Sequence, residues 1–150
     1  MNIEETIKTS NKLPESRRLI LNILVTANYI NDRIGEALKD FDISIPQFNV
    51  LRILRGQKGE PANLSTIQER MVSKMSNTTR LVDKLITKGL VERVTCEANR
   101  RKVEISITDK GLKFLKEVDP VIDKIEAEIT SRITSEENEL MNKNLNVLRG

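Results

Sequence analysis

The stretch LSTIQERMVSKMSNTTRLVDKLITKGLVERVTCEANRRKVEISIT, residues 64–108, carries the pattern that decides the fold. Leu64, Ile67 and Met71 recur at i, i+3 and i+7, and Ser65 with Gln68 forms a Ser-x-x-Gln helix start, so a short helix is expected here. After a three-residue break at 71–73, Met75, Thr78, Val82 and Leu85 alternate by three and four. That spacing predicts a second helix over Lys74 to Lys88 with one face on the core, stopped by Gly89. Two short helices joined by a tight turn make a helix-turn-helix. Leu90 to Cys96 and Lys102 to Thr108 then read as strands, since Val103, Ile105 and Ile107 alternate with Lys102, Glu104, Ser106 and Thr108. The polar segment 97–101 is the loop of their hairpin, and a hairpin directly after a helix-turn-helix is a wing.

On the N-terminal side, Ser44-Ile45-Pro46-Gln47 is a capping box with proline in the first turn, opening a helix that carries Phe48, Leu51 and Leu54 and ends at Gly56 and Gly59. Before it, Ile20, Ile23, Ala27, Ile30, Ile34, Leu38 and Phe41 predict one long helix from Glu15 to Lys39. Leu19, Leu24 and Val25 add a second apolar side, so this helix needs more than one neighbour. On the C-terminal side, Thr108 caps a helix with Leu112, Leu115, Ile122, Ile125 and Ile129 as its stripe, and Pro120 predicts a kink or break near 118–120. Thr134 and Glu137 form a further capping box, before a last helix with Leu140, Met141, Leu145 and Leu148. The fold class is therefore mainly α with a small β-hairpin wing. The terminal helices are too apolar for a small domain to hide alone, which points to dimerisation.

The formal net charge of +3 conceals an asymmetry. Residues 70–102 carry nine basic and three acidic side chains, net +6, against 0 for residues 1–69 and −3 for residues 103–150. An excess confined to one segment is the footprint of a phosphate-binding surface. Charge alone fits a solvated basic face equally well, so the helix-turn-helix beside it carries the inference.

Several other chemistries lack their residues. There is no histidine to act as general base or imidazole ligand, and the single Cys96 cannot build a structural zinc site or an internal disulfide. No Gly-x-Gly-x-x-Gly or phosphate-loop motif occurs. With one tyrosine, three phenylalanines and no tryptophan, base stacking on single strands is disfavoured. Nothing argues for an enzyme, a cofactor or a metal. No apolar run approaches the roughly 18–20 residues of a membrane span, and the N-terminus lacks a signal-peptide core, so a cytoplasmic protein is expected.

A recognition helix reads base edges from its N-terminal turns. That nominates Ser76, Asn77, Thr79 and Arg80, with Asn suited to adenine and Arg to guanine. Lys74 and Lys84 are placed for phosphates, while Lys88 reads as a solvated cation favourable to the helix dipole. In the wing, Arg100, Arg101 and Lys102 gather at a tip, and arginine is held well in a narrow minor groove. Double-stranded DNA is the partner these features imply. The other reading of the same basic face is a winged-helix protein–protein interaction module.

Four segments together resemble the MarR (multiple antibiotic resistance regulator) family of bacterial winged-helix repressors. Residues Ser44 to Leu51 are similar to the helix before its DNA-binding lobe, and Thr79-Arg80-Leu81-Val82-Asp83-Lys84-Leu85 to its recognition helix. Lys88-Gly89-Leu90-Val91-Glu92-Arg93 is similar to the exit into its wing, and Asn99-Arg100-Arg101 through Thr108-Asp109-Lys110-Gly111 to its wing tip and next helix start. The resemblance covers about residues 15–148 and implies a single domain over 1–150, with dimerisation helices at about 15–40 and 109–149 and a winged lobe at about 44–108. It implies a homodimer that straddles a pseudo-palindromic operator. It also implies a repressor released by a small, often aromatic or phenolic, acid bound between dimer region and lobes. Arg101 matches the family's minor-groove arginine, whereas Asn99 stands where the family usually has the aspartate that pairs with it. Some members of the family sense oxidants through a cysteine near the N-terminus; Cys96, on a wing strand, reads as inert beside them, the other reading being a reactive thiolate favoured by nearby Arg93 or Lys102.

Overall fold

Ser44 and Thr134 cap their helices as their spacing predicts. Each hydroxyl accepts from the N–H three residues on, and Gln47 and Glu137 accept in return from the caps' own N–H groups at 3.0 and 2.8 Å. In the computed structural model of the chain the backbone is described over residues 1–150, and side chains at all of them except Cys96, Arg100 and Arg101. The expected minor-groove roles of Arg100 and Arg101, and the reading of Cys96, therefore lie outside the described residues.

The elements run α1 (Ile3–Thr6), α2 (Glu15–Lys39), α3 (Ile45–Gly56), α4 (Leu64–Arg70), α5 (Thr78–Thr87), β1 (Val91–Cys96), β2 (Asn99–Ile107), α6 (Asp109–Thr130) and α7 (Ser135–Arg149). One continuous core joins Leu38 of α2, Val50, Leu51 and Leu54 of α3, Ile67 of α4, Val82 and Leu85 of α5, Ile105 of β2, and Leu115, Val118 and Ile122 of α6. It is the winged lobe packed onto the inner ends of two long helices. The strands pair antiparallel from Val91 opposite Ile107 to Thr95 opposite Val103, with an irregularity before Cys96 meets Asn99. Ala62 adds a bridge to Ile105, tying the approach to α4 to the wing.

The end of α5 shows why Gly89 is glycine. Its φ of +75° is left-handed, and it lets Gly89 N–H reach the Ile86 carbonyl at 2.9 Å and Leu90 N–H the Leu85 carbonyl at 3.1 Å. This is a Schellman close, with Leu85 and Leu90 both buried beneath it. The chain is thereby turned straight from α5 into β1.

Several sequence expectations need correction. Short α1 was not foreseen; Asn2 and Glu5 cap it reciprocally, and Ile3 anchors it. The cap of α4 is Asn63, not Ser65: the Asn63 side chain accepts from Thr66 N–H at 2.8 Å. Helix α5 begins at Thr78 rather than Lys74, because extended Asn77 caps it by accepting from Arg80 N–H at 3.1 Å. Met75 is consequently not a core residue; it is 95% exposed. The hairpin turns at 97–98, since β2 already begins at Asn99. Pro120 does not break α6, which continues to Thr130 with Val118 and Ile122 fully buried on either side. Their packing outweighs the one backbone bond that proline removes. No helix among the described residues is long and apolar enough to cross a membrane.

Candidate nucleic-acid interface

Helix α5 is divided lengthwise by burial. Thr78, Val82 and Leu85, at i, i+4 and i+7, are buried, while Thr79, Arg80, Asp83, Lys84 and Thr87 are exposed. Asp83 pairs with Arg93 of β1 at 3.2 Å, and both side chains are about half exposed. Such a pair contributes little stability. It does remove the one carboxylate of α5 from competition. Among the described residues neither Arg80 nor Lys84 has an ion pair, so both cations face outward. The unpaired N–H groups of the helix's first turn add partial positive charge at the same end.

The turn leading into α5 is held from two sides. Gln68 of α4 donates to the Lys74 carbonyl at 2.9 Å and accepts from the Thr78 hydroxyl. Asn49 of α3 accepts from Val72 N–H at 2.9 Å. Gln68 looks in the sequence like half of a capping box, and its true partners lie six and ten residues on. Nothing in the sequence marks Asn49 as a turn anchor.

The nominated residues do not all converge. Thr79, Arg80 and Lys84 share the outward side of α5. Asn77 sits at its start, with its side-chain oxygen engaged as cap, and Ser76 is half-buried just before it. Lys74 folds back, its ammonium donating to the Glu69 carbonyl near the end of α4. Lys88 caps the far end, reaching the Asp42 carbonyl and, at 3.4 Å, its carboxylate. Asn99 and Lys102 lie elsewhere: with Asn63, Leu64, Ser65 and Val103 they line a cleft of about 390 Å³ between the start of α4 and the wing.

Two further features bear on the site. A broad cleft of about 950 Å³ lies between α2, the start of α3 and the end of α5; its walls include Lys39, Lys84 and Lys88 together with Asp32, Glu36 and Asp42. Across the lobe, Arg52 and Arg55 of α3 clamp Asp119 of α6. Arg52 donates to it at 3.3 Å while lying 4.3 Å over the Phe48 ring, and Arg55 grips the second carboxylate oxygen. This clamp was not legible in the sequence, since its partners are 64 and 67 residues apart.

The clamp has a pH signature. Burial alone would push the Asp119 carboxyl up, but the hydrogen bonds and charge of Arg55 and Arg52 outweigh it and hold it below its ordinary 3.8. A lowered carboxyl favours folding above its unfolded value, and that contribution fades as pH falls through the folded value. Asp119→Asn is thus expected to lose about 1 kcal/mol at pH 7, a modest figure because the arginines are partly exposed. Urea unfolding should show the gap between wild type and variant closing below pH 3.8. A gap that persists in acid would show that the loss is steric.

Among known proteins, the MarR family model matches residues 43–103. The chain is similar to the HTH-type transcriptional regulator TcaR of Staphylococcus aureus (strain Newman): 32% identical over 127 residues, spanning 81% of this chain and 82% of that protein. In structure it is similar to a MarR-like regulator from Bacillus cereus ATCC 10987, with TM-score 0.79, 24% identity, and 89% of this chain and 95% of that one covered. It also superposes on the organohalide-sensing RdhR transcriptional regulator in its 2,4-dichlorophenol-bound form, with TM-score 0.83, 21% identity, and 92% and 81% coverage.

Proposed function

The chain belongs to the MarR family of DNA-binding transcriptional regulators, and from that premise we propose that it is a homodimeric repressor released from its operator by a small acid. The observation that supports this most is the divided α5: a core-anchored helix whose outward side offers Thr79, Arg80 and Lys84, with Asp83 neutralised by Arg93. In the proposed complex, Ser76, Thr79 and Arg80 meet base edges in the major groove, and Asn77, whose side-chain oxygen caps α5, offers them its amide N–H group. Lys74 and Lys84 hold phosphates, Lys74 after swinging off Glu69. Asn99, Arg100, Arg101 and Lys102 bring the wing to the adjacent minor groove. The chain acts as one unit, its lobe at about 44–108 carried by dimerisation helices at about 15–40 and 109–149. It works in the cytoplasm and carries out no catalytic step.

The dimer reading is supported by what α2 and α7 leave uncovered. Leu19, Ile20, Leu24, Leu140, Met141, Val147 and Leu148 are between 47% and 71% exposed. Leu19, Ile23, Ala27 and Ile30 of α2 face Met141, Leu145 and Leu148 of α7 across a groove of about 650 Å³. A contiguous apolar surface of this kind marks an interface. Two copies joined there would present two α5 helices to a pseudo-palindromic site, about 34 Å apart.

For the ligand, the 950 Å³ cleft offers Lys84 of α5, which has no ion pair among the described residues, while Lys39 and Lys88 on the same walls are paired with Glu36 and Asp42. A structural neighbour carries 2,4-dichlorophenol. A phenolic or aromatic acid there would act by its preference between two lobe arrangements, since no ligand moves an equilibrium further than its differential affinity.

The test is titration of the protein against the duplex upstream of its own gene at several salt concentrations. Affinity should fall by about 0.9 log units per log unit of salt for each phosphate contact. A flat salt response, or no binding at low salt, would overturn the proposal and favour a protein partner for the basic face.

A further inference from the structure

Among the described residues, apart from the first, the two most exposed large hydrophobic side chains are Met75 at 95% and Val72 at 90%, and both sit in the turn that leads into α5. Their exposure does not come from a loose segment. Gln68 holds the Lys74 carbonyl and Thr78, Asn49 holds Val72 N–H, and Ser76 N–H donates to the Ser73 carbonyl at 3.3 Å. A braced turn thus keeps a thioether side chain in water, two residues before the cap of the recognition helix and one residue after Lys74. The spacing of Met75 with Thr78, Val82 and Leu85 suits a core position, yet the cap at Asn77 directs it away from the core.

We infer that Met75 is a specificity-determining residue that reads the 5-methyl group of a thymine in each half-site. The inference rests on the proposed DNA-binding role of α5. Its occupant is argued from the charge of the segment that holds it: residues 70–102 carry nine basic and three acidic side chains, net +6, which draws a nucleic acid and repels a basic partner. On the major-groove face of duplex DNA the apolar group on offer is the thymine methyl. Methionine is unbranched and polarizable, so it adapts its reach to that one methyl group. A polar residue at this position would meet the same base without distinguishing thymine from cytosine by its methyl.

The experiment uses the full-length protein and duplexes selected by it from a randomised pool. Each thymine of the selected site is replaced in turn by deoxyuridine, which removes only the methyl group. Wild type should lose about four-fold in affinity at one position per half-site, the worth of one buried methyl group. Met75→Ala should bind the thymine and deoxyuridine duplexes equally and retain wild-type melting behaviour. Val72→Ala should keep the deoxyuridine penalty. A penalty that persists in Met75→Ala, or no penalty at any thymine in wild type, overturns the inference while leaving the DNA-binding proposal intact. Failure of the pool to yield any preferred duplex would instead overturn the proposed function itself.

Discussion

Gly111→Ala is expected to cost about 3 kcal/mol and to lower the melting temperature by roughly 6–12 °C. In most helices this exchange stabilises, since alanine is the better helix former by about 1 kcal/mol. Here the packing reverses the sign. A Cβ on Gly111 would lie 2.3 Å from the Leu90 carbonyl oxygen and 2.6 Å from Ile107 Cγ1. Neither neighbour can retreat cheaply. The Leu90 oxygen accepts from Thr108 N–H at 3.0 Å, and the Thr108 hydroxyl donates to the Gly89 carbonyl at 2.7 Å while capping α6 through Gly111 N–H at 3.0 Å. The start of α6 is thus locked onto the junction of α5 and the hairpin, and a methyl group would pry that junction apart. Thermal unfolding followed by far-UV circular dichroism measures the effect. An unchanged or raised midpoint would mean that α6 shifts freely on the wing.

The second large effect concerns assembly. Glutamate at both Leu19 and Leu148 should convert the proposed dimer into a folded monomer and weaken operator binding by about 100-fold or more, the avidity that comes from linking two sites. Both side chains line the groove between α2 and α7 and are about half exposed in the single chain. Within one protomer the charges remain wetted, and surface exchanges of this kind usually change stability by no more than about 0.5 kcal/mol. Across a dimer they would be desolvated without partners, which is costly. Light scattering should report half the wild-type mass with an unaltered circular dichroism spectrum. A retained dimer mass would place the pairing surface elsewhere on the chain.

Much of the fold is legible because its signals are local. The capping boxes at Ser44 and Thr134, the glycine stop at Gly89 and the alternation of Val103, Ile105 and Ile107 each act within a few residues, so the elements follow from spacing. The long helix keeps its expected bounds, Glu15 to Lys39, with Phe41 of the periodic stripe falling in the turn just beyond it. The exposed side of α5 was legible for the same reason, since a residue that repeats with the helical period either joins Val82 and Leu85 or opposes them.

Tertiary structure decided what local spacing leaves ambiguous. Met75 fits the apolar period of α5, but the cap belongs to Asn77, and the turn before it is set by Gln68 and Asn49 from two other helices. Ser65 competes with Asn63 for the start of α4, and the winner is the one whose side chain reaches Thr66 N–H. Lys74 and Lys88 look alike in the sequence as basic residues flanking α5, yet one folds onto the end of α4 and the other onto Asp42. The Arg52–Arg55–Asp119 clamp joins residues far apart in the chain, and no local rule selects Asp119 from the other acids of α6. Short α1 and the first residues of β2 apart, the sequence by itself determined which segments are helices and strands, and which helix carries the basic outward side, because periodicity and capping are short-range. Where α5 begins, which of its cations remain outward, and how the lobe is pinned to the long helices depend on partners brought together only by folding.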